Sequence, residues 1–318
     1  MANKDTITKD YMQDKKTFAD AFNFLIYNGE QIIKPEHLKP HDTTSIALPY
    51  GEDNKPIPIQ RYRDILKIAT IMEDDNATYL LLGIENQSQI NYAMPVRNML
   101  YDALQYVDQV DNIARAHRLN DKMPETRAEF LSGFYKTDHL LPVITLTIYF
   151  GTDKWDAQKS LYDMFSVKDK RLLKFVANYK LDLIAPAEIA DEEFKKFHTE
   201  LSLALKYIKY SKDRKRLKEI IQEDIAYKAV SKKTVDMLNV ITNSGLRYND
   251  GEENVNMCEA IEGIREDARA EGRAEGKAEG ELKVLINLVK KGILTLTQAA
   301  EEANLTVPEF EEKTGLKT

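Results

Sequence analysis

The chain has 318 residues, a formal net charge of −7 and a pI near 5.5, with 43% hydrophobic and 31% charged residues. This composition is ordinary for a globular protein of one large domain with an appendage, or of two domains. No run approaches the roughly 18 apolar residues that cross a bilayer, and the N-terminal MANKDTITKDYMQDKK lacks the apolar core of a secretory signal. The single cysteine, Cys258, excludes an internal disulfide and a thiolate-rich zinc site. We therefore expect a cytoplasmic protein with no membrane partner.

The acidic balance disfavours indiscriminate binding to nucleic acid, although a single basic face is sufficient for binding. Three local basic runs exist, and each is interpreted first as a solvated face and alternatively as a DNA contact. They contain Arg61, Arg63 and Lys67; Lys168, Lys170, Arg171 and Lys174; and Lys212, Arg214, Lys215, Arg216 and Lys218.

The N-terminal third contains a helical pattern followed by two strand patterns. Residues 10–28 have the periodicity of an amphipathic helix that ends at Gly29, and a proline-rich loop or irregular edge follows over 34–58. RYRDILKIATIM (61–72) and TYLLLGIENQ (78–87) flank an acidic four-residue connection, which predicts a β-hairpin. The second run is almost continuously apolar, as is typical of a strand buried on both faces of a sheet.

Strands and helices continue to alternate through the next part of the chain. The pattern predicts a helix over 94–110, a strand over 141–151, and helices over 158–232 interrupted by a short strand at 179–186. This alternation places residues 1–235 in the α/β class.

Residues 236–318 are predicted to be a helical C-terminal region. It contains RAEGRAEGKAEG (269–280), in which each glycine costs roughly 1 kcal/mol in a helix. The repeat is interpreted as a solvated, partly helical spacer, or alternatively as a helix whose small residues make a close contact in a dimer. Two short helices follow about a turn near Asn304. Their glutamates would face phosphates badly, so they favour packing or oligomerisation over a helix-turn-helix.

Strand alternation brings three polar residues into one candidate site. Residues two apart share a face of a strand, so Glu85 and Gln87 point the same way on the second strand, and Asp64 lies on the first. Two acids on adjacent strands repel unless a cation lies between them. Oxygen ligands suit Mg²⁺, Mn²⁺ or Ca²⁺, and such an ion can activate water against a phosphodiester.

Spacing alone leaves an alternative open for these acids. An Asp followed 21 positions later by Glu-x-Gln is not a specific signal, and the same carboxylates fit structural ion pairs. The candidate partners are Arg61, Arg63 and Lys67.

Three further residues are candidate accessories to this site. Arg97 and Tyr101 lie four apart on one helical face and could contact a phosphate, or could be a salt-bridge partner and a core residue. Asp20 could add a carboxylate to the metal shell, or could be a surface acid of an amphipathic helix. Trp155, the only tryptophan, is interpreted as a packing anchor rather than a base-stacking residue.

The order Asp, hairpin, Glu-x-Gln, helix resembles the PD-(D/E)XK nuclease core. More closely, the chain resembles the bacterial recombination-promoting nuclease (Rpn) and transposase family over most of its length. The segments that carry this resemblance are KKTFADAFNFLIYNG (15–29), RYRDILK (61–67), YLLLGIENQSQINYAMPVRNMLYDALQYVDQV (79–110), LPVITLTIYFGTDKWD (141–156) and the EG-repeat tail.

The resemblance implies a metal-dependent DNA endonuclease linked to recombination or mobile DNA, built on a mixed sheet flanked by helices. It implies that Asp64, Glu85 and Gln87 are catalytic and that Asp64 and Glu85 bind the metal. Gln87 stands where the wider superfamily has lysine, although the Rpn-type pattern commonly has glutamine, and a neutral amide can only hydrogen-bond. The alternative is a catalytically weak DNA-binding or self-assembling protein that keeps the nuclease fold. A homo-oligomer formed through the C-terminal helix is a further expectation.

Overall fold

The computed structural model describes residues 4–41, 44–47, 59–62, 64–73, 76–120, 123–248, 251 and 253–316. The chain forms two compact units, Met1–Ser244 with Asp250–Asn256, and Gly245–Asn249 with Met257–Thr318. The boundary predicted after residue 235 lies inside a helix of the first unit. No helix among these residues is long and apolar enough to cross a membrane.

The helices of the described part of the chain are α1 (Lys4–Gln13), α2 (Lys15–Tyr27), α3 (Met94–Leu119), α4 (Arg127–Ser132), α5 (Leu161–Met164), α6 (Lys170–Leu173), α7 (Leu201–Tyr210), α8 (Arg214–Glu223), α9 (Lys232–Thr242), α10 (Met257–Lys290), α11 (Leu296–Glu302) and α12 (Val307–Thr314). The strands are β1 (Leu38–Pro40), β2 (Thr44–Ala47), β3 (Ile59–Tyr62), β4 (Ile65–Glu73), β5 (Asn76–Gln87), β6 (Val143–Tyr149), β7 (Asp182–Ile184), β8 (Val230–Ser231) and β9 (Asn254–Val255).

A five-stranded mixed sheet in the order β1-β4-β5-β6-β7 forms the centre of the first unit. β4 runs antiparallel to β1 and β5, whereas β6 runs parallel to β5 and β7. Ile84 of β5 pairs with Leu146 of β6, and both side chains are fully buried. The predicted fold class, a mixed sheet flanked by helices, is confirmed, and it is compatible with a nuclease-like fold.

The single helix predicted over residues 10–28 is wrong, because the structure has two helices divided at Asp14. The Asp14 carboxylate accepts a hydrogen bond from the Thr17 backbone N–H at 2.9 Å and so caps the start of α2. The sequence prediction began too late and missed most of α1, which is rich in polar residues.

Gly29 follows α2 as predicted, and the structure gives two reasons for glycine there. Its φ angle is +97°, a backbone conformation that residues with a side chain rarely adopt. A Cβ at this position would also lie 2.7 Å from the Lys196 carbonyl oxygen. The chain therefore needs glycine for both its conformation and its close approach to a neighbouring segment.

The predicted hairpin is present as β4 and β5, but its first strand is shorter than predicted. Residues 59–62 form β3, which pairs with β2, and β4 begins only at Ile65. Asp64 consequently lies in a bend just before β4 rather than within a strand.

The helix predicted over 94–110 extends to Leu119 as α3, and the strand predicted over 141–151 is present as β6. Trp155 is buried and meets the Tyr149 ring edge-on, with 5.4 Å between the ring centroids. The prediction that Trp155 is a packing anchor is confirmed.

Lys67 is a buried lysine of β4. Its ammonium donates a hydrogen bond to the Gln13 carbonyl oxygen at 2.8 Å and lies 4.3 Å from the centroid of the Phe18 ring. Burial lowers the pKa of Lys67 from its ordinary value of 10.5 to about 8. Because the folded-state pKa is the lower one, charged Lys67 opposes folding below pH 8, and this penalty disappears as the pH rises towards 10.5.

Replacing Lys67 by methionine is therefore expected to raise the free energy of unfolding by about 1 kcal/mol at pH 7. The difference from wild type should shrink by pH 10, because wild-type Lys67 is then largely neutral. Urea denaturation at both pH values measures this, with the exposed Lys154→Met as the control. A gain that is the same at both pH values would contradict the prediction.

The second unit is helical, as predicted for the C-terminal region. The repeat at 269–280 lies within the helix α10. α11 and α12 form a small core with part of α10, in which Ala299, Ala300 and Phe310 are buried. This arrangement supports the packing interpretation of the C-terminal pair, whereas oligomerisation remains a prediction.

Candidate active site

Asp64 and Glu85 are brought together by the antiparallel pairing of β4 and β5. Ile65 pairs with Ile84, so one further step along the register places Asp64 opposite Glu85. The Asp64 backbone N–H donates to Glu85 Oε1 at 3.4 Å, and the Asn86 backbone N–H donates to Asp64 Oδ2 at 2.8 Å. Glu85 is fully buried, whereas Asp64 is half-buried. Backbone N–H groups of the two segments therefore connect the two predicted carboxylates.

Arg97 and Tyr101 reach this pair from α3. Arg97 Nη2 lies 3.2 Å from Glu85 Oε2, and Arg97 Nε donates to the Tyr101 hydroxyl at 3.1 Å. The Arg97 side chain is 39% exposed, whereas Tyr101 is buried. The two residues therefore lie at the site, and they also make the salt bridge and core contact that were the alternative.

Burial is the largest influence on the pKa of Asp64 and on that of Arg97. Burial raises the pKa of Asp64, opposed by the Asn86 N–H and by the charges of Lys9 and Arg97. Burial lowers the pKa of Arg97, but the Glu85 carboxylate and the Tyr101 hydroxyl outweigh it, so the net shift is upward. Additional positive charge near Asp64 would favour its ionised form.

Gln87 follows Glu85 on β5 and lines a polar cavity of about 720 Å³ together with Asp64 and Arg97. Its Nε2 donates to the Asn86 carbonyl oxygen at 3.0 Å. The cavity lining therefore brings Gln87 and Asp64 together, whereas Glu85 is buried behind it.

The first turn of α1 also lines this cavity, which the sequence did not predict. Lys4 and Asp5 lie at its wall, and the Ser88 hydroxyl donates to Asp5 Oδ1 at 2.9 Å. No local signal marks these residues, because α1 is separated from β5 by about 70 positions and reaches it only in the folded chain.

A second cavity of about 410 Å³ shares five lining residues with the first. The shared residues are Lys4, Ser88, Gln89, Ile90 and Tyr92, and the second cavity extends to residues 149–153 at the end of β6. The two cavities therefore adjoin at these residues near the carboxyl ends of β5 and β6, and together they are called the groove.

Asp20 lies elsewhere, so its predicted accessory role at the metal shell is corrected. The carboxylate is buried and accepts hydrogen bonds from the His198 and Thr199 backbone N–H groups at 2.9 to 3.0 Å, and from the Thr199 hydroxyl at 2.6 Å. Asp20 is thus neither a ligand of the site nor a surface acid. It holds α2 to the segment that leads into α7.

The ion pairs proposed as the alternative for Asp64 and Glu85 involve other partners. Glu85 pairs with Arg97, and the Lys67 ammonium contacts the Gln13 carbonyl oxygen instead. The side chains of Arg61 and Arg63 lie outside the described residues.

By ligand type alone, the candidate residues match a hard divalent cation. Asp64 and Glu85 supply carboxylate oxygens and Gln87 an amide oxygen, which are the ligand types that Mg²⁺, Mn²⁺ and Ca²⁺ prefer. Among the described residues no group of three or more His, Cys, Asp or Glu side chains could hold a metal. Two carboxylates are sufficient for Mg²⁺, which takes its other ligands from water and substrate phosphate.

Comparison with known proteins gives one family. The model of the family described as "Putative transposase, YhgA-like" matches residues 59–236, more than half of the chain. Searches of the curated proteins and of the solved structures found no match. The matched region contains β3 to β8 and the whole of α3. It therefore includes Asp64, Glu85 and Arg97. The chain therefore belongs to this YhgA-like family, the Rpn group of PD-(D/E)XK-like proteins.

Proposed function

We propose that the protein is a metal-dependent DNA endonuclease, associated with recombination or mobile DNA, that hydrolyses phosphodiester bonds. The observation that carries the proposal is the pairing of Asp64 with Glu85 beside a polar groove, with 3.4 Å between Asp64 N and Glu85 Oε1. The family match supports DNA as the partner.

Asp64 and Glu85 would hold the metal, with Mg²⁺ expected first and Mn²⁺ or Ca²⁺ as alternatives. Bound there, a divalent ion polarises a phosphodiester and lowers the pKa of a water molecule. The Asn86 N–H donates a 2.8 Å hydrogen bond to the Asp64 carboxylate and so orients it. This main-chain contact gives the site a preorganised anionic group.

Arg97 has two roles in the proposal. It balances the charge of buried Glu85, which would otherwise be costly to ionise. A guanidinium carries five N–H donors, and the contacts with Glu85 and Tyr101 occupy only part of this set. The remaining donors can bind a phosphate oxygen in the groove, where part of the Arg97 side chain is exposed.

Gln87 takes the place of the superfamily lysine, and its chemistry is limited to hydrogen bonding. Its amide oxygen can accept a hydrogen bond from water and orient that water, but Gln87 itself carries no positive charge to stabilise the developing phosphoryl charge. In the proposal, Arg97 supplies the positive charge at this site.

A second candidate function is DNA binding without efficient cleavage. The observation that favours it is the neutral Gln87 side chain, whose Nε2 already donates to the Asn86 carbonyl oxygen. This candidate keeps the groove and the family's DNA partner but removes turnover.

A plasmid assay with full-length protein separates the two candidates. Supercoiled plasmid is expected to become nicked or linear with Mg²⁺, and EDTA is expected to stop the reaction. Mn²⁺ and Ca²⁺ are assayed in parallel, and binding to a labelled duplex is measured by anisotropy at several salt concentrations. Salt-dependent binding without cleavage in any of the three metals would favour the second candidate. Neither binding nor cleavage would reject both.

A further inference from the structure

The 165–180 segment, which connects α5 to β7, exposes large apolar side chains. Phe175 is 90% exposed and Leu172 is 57% exposed, and Val167 and Val176 are exposed as well. A single exposed leucine needs no explanation, but a cluster of apolar side chains with a polar rim marks an interaction site.

Hydrogen bonds hold this segment in place. The Tyr162 hydroxyl lies 2.5 Å from the Leu173 carbonyl oxygen and 2.6 Å from the Val176 carbonyl oxygen, and its single proton is donated to this pair of acceptors. The Asp169 side chain accepts from the Arg171 N–H at 2.9 Å and caps α6. The segment is therefore a built element that holds Phe175 out in solvent.

The rim of the apolar cluster is basic, although the chain as a whole carries a net charge of −7. Within residues 165–180 the one acid, Asp169, is paired with Arg171 at 2.8 Å. The exposed lysines Lys170 and Lys174 flank the cluster. A surface with this charge complements a polyanion.

The base of the segment is attached to α3, the helix that also carries Arg97. The Tyr179 hydroxyl donates to Asp102 Oδ2 at 2.7 Å, and the Thr145 hydroxyl of β6 donates to the other oxygen of the same carboxylate. Asp102 lies five residues after Arg97 on α3, which is about 7.5 Å along the helix axis.

We propose that the 165–180 segment is a second DNA contact, in which Phe175 and Leu172 insert at a base step while Lys170 and Lys174 neutralise the flanking phosphates. Proteins that kink DNA combine apolar wedges with basic side chains in this way. The inference rests on the proposed function, because that function provides DNA as the partner. An acidic protein and an anionic membrane are the other occupants that this surface chemistry could fit, and the test below distinguishes them.

The test uses full-length protein carrying Asp64→Asn, so that DNA is bound without being cut. Affinity for a labelled duplex is measured by anisotropy in Mg²⁺, and base unstacking by 2-aminopurine fluorescence. Phe175→Ala is expected to weaken binding by about 10-fold and to abolish the 2-aminopurine signal, because one base–aromatic contact is lost. In the double variant Lys170→Ala/Lys174→Ala, the plot of log affinity against log salt is expected to become less steep, with a slope about 2 smaller in magnitude.

Phe130→Ala is the matched control, because Phe130 is 72% exposed on α4 and lies outside this segment. It should leave affinity and unstacking unchanged. If Phe175→Ala and its Asp64→Asn parent have equal DNA affinity and equal 2-aminopurine signals, the inference is overturned and the proposed function stands. Phe175-dependent binding to phosphatidylserine vesicles or to a polyglutamate peptide, with DNA affinity unaffected, would also overturn it. Failure of the protein to bind any DNA would instead overturn the proposed function.

Discussion

Asp64→Asn is expected to reduce plasmid cleavage by at least about 100-fold, which corresponds to about 2.7 kcal/mol of transition-state stabilisation. The substitution keeps the size of the side chain and one oxygen that can accept from the Asn86 N–H, but it removes the negative charge that would hold the metal. Affinity for DNA should be equal to wild type or higher, because one negative charge near the phosphate is lost. Initial rates with Mg²⁺ and anisotropy titrations measure the two effects.

Asp111→Asn is the control for this substitution, since Asp111 is an exposed aspartate on α3. It makes the same chemical change without touching the carboxylate pair and should leave cleavage unchanged. Far-UV circular dichroism and the urea midpoint show whether each variant is folded. Wild-type rates from a folded Asp64→Asn protein would reject the assignment of Asp64 as a metal ligand.

Asp20→Ala is expected to lower the free energy of unfolding by about 3 kcal/mol, because three donors would lose their acceptor inside the protein. These donors are the backbone N–H groups of His198 and Thr199 and the Thr199 hydroxyl. The loss is measured by urea denaturation, with the exposed Asp10→Ala on α1 as a control that should cost little.

The same variant separates a structural aspartate from a catalytic one. Cleavage per folded molecule of Asp20→Ala should match wild type at a temperature where the variant remains folded. Asp64→Asn is expected to lose cleavage without losing stability. If Asp20→Ala behaves in the same way, Asp20 acts in the reaction and its assignment as a structural residue is wrong.

Local patterns were sufficient to predict β5, β6 and α3. Alternation of side chains in a strand and periodicity in a helix act over a few residues, so an eight-to-twelve-residue segment contains the signal. The same locality explains the errors. The helical pattern omits most of α1 because the apolar face of α1 is narrow, and the strand pattern places Asp64 inside a strand because the run from 61 to 72 is rich in β-forming residues.

What the sequence determined by itself is the element type, the common strand face of Glu85 and Gln87, and the family that the 59–236 region belongs to. Only the tertiary structure decided which side chains meet. Arg97 is the partner of Glu85, and Asp20 binds a segment almost 180 positions away. These pairings depend on how α1, α2 and α3 pack against the sheet. Contacts between residues far apart in sequence leave no periodic pattern in either segment. The position of each carboxylate in the fold, rather than a motif around it, therefore distinguishes Asp20, which binds the segment before α7, from Asp64, which lies at the candidate site.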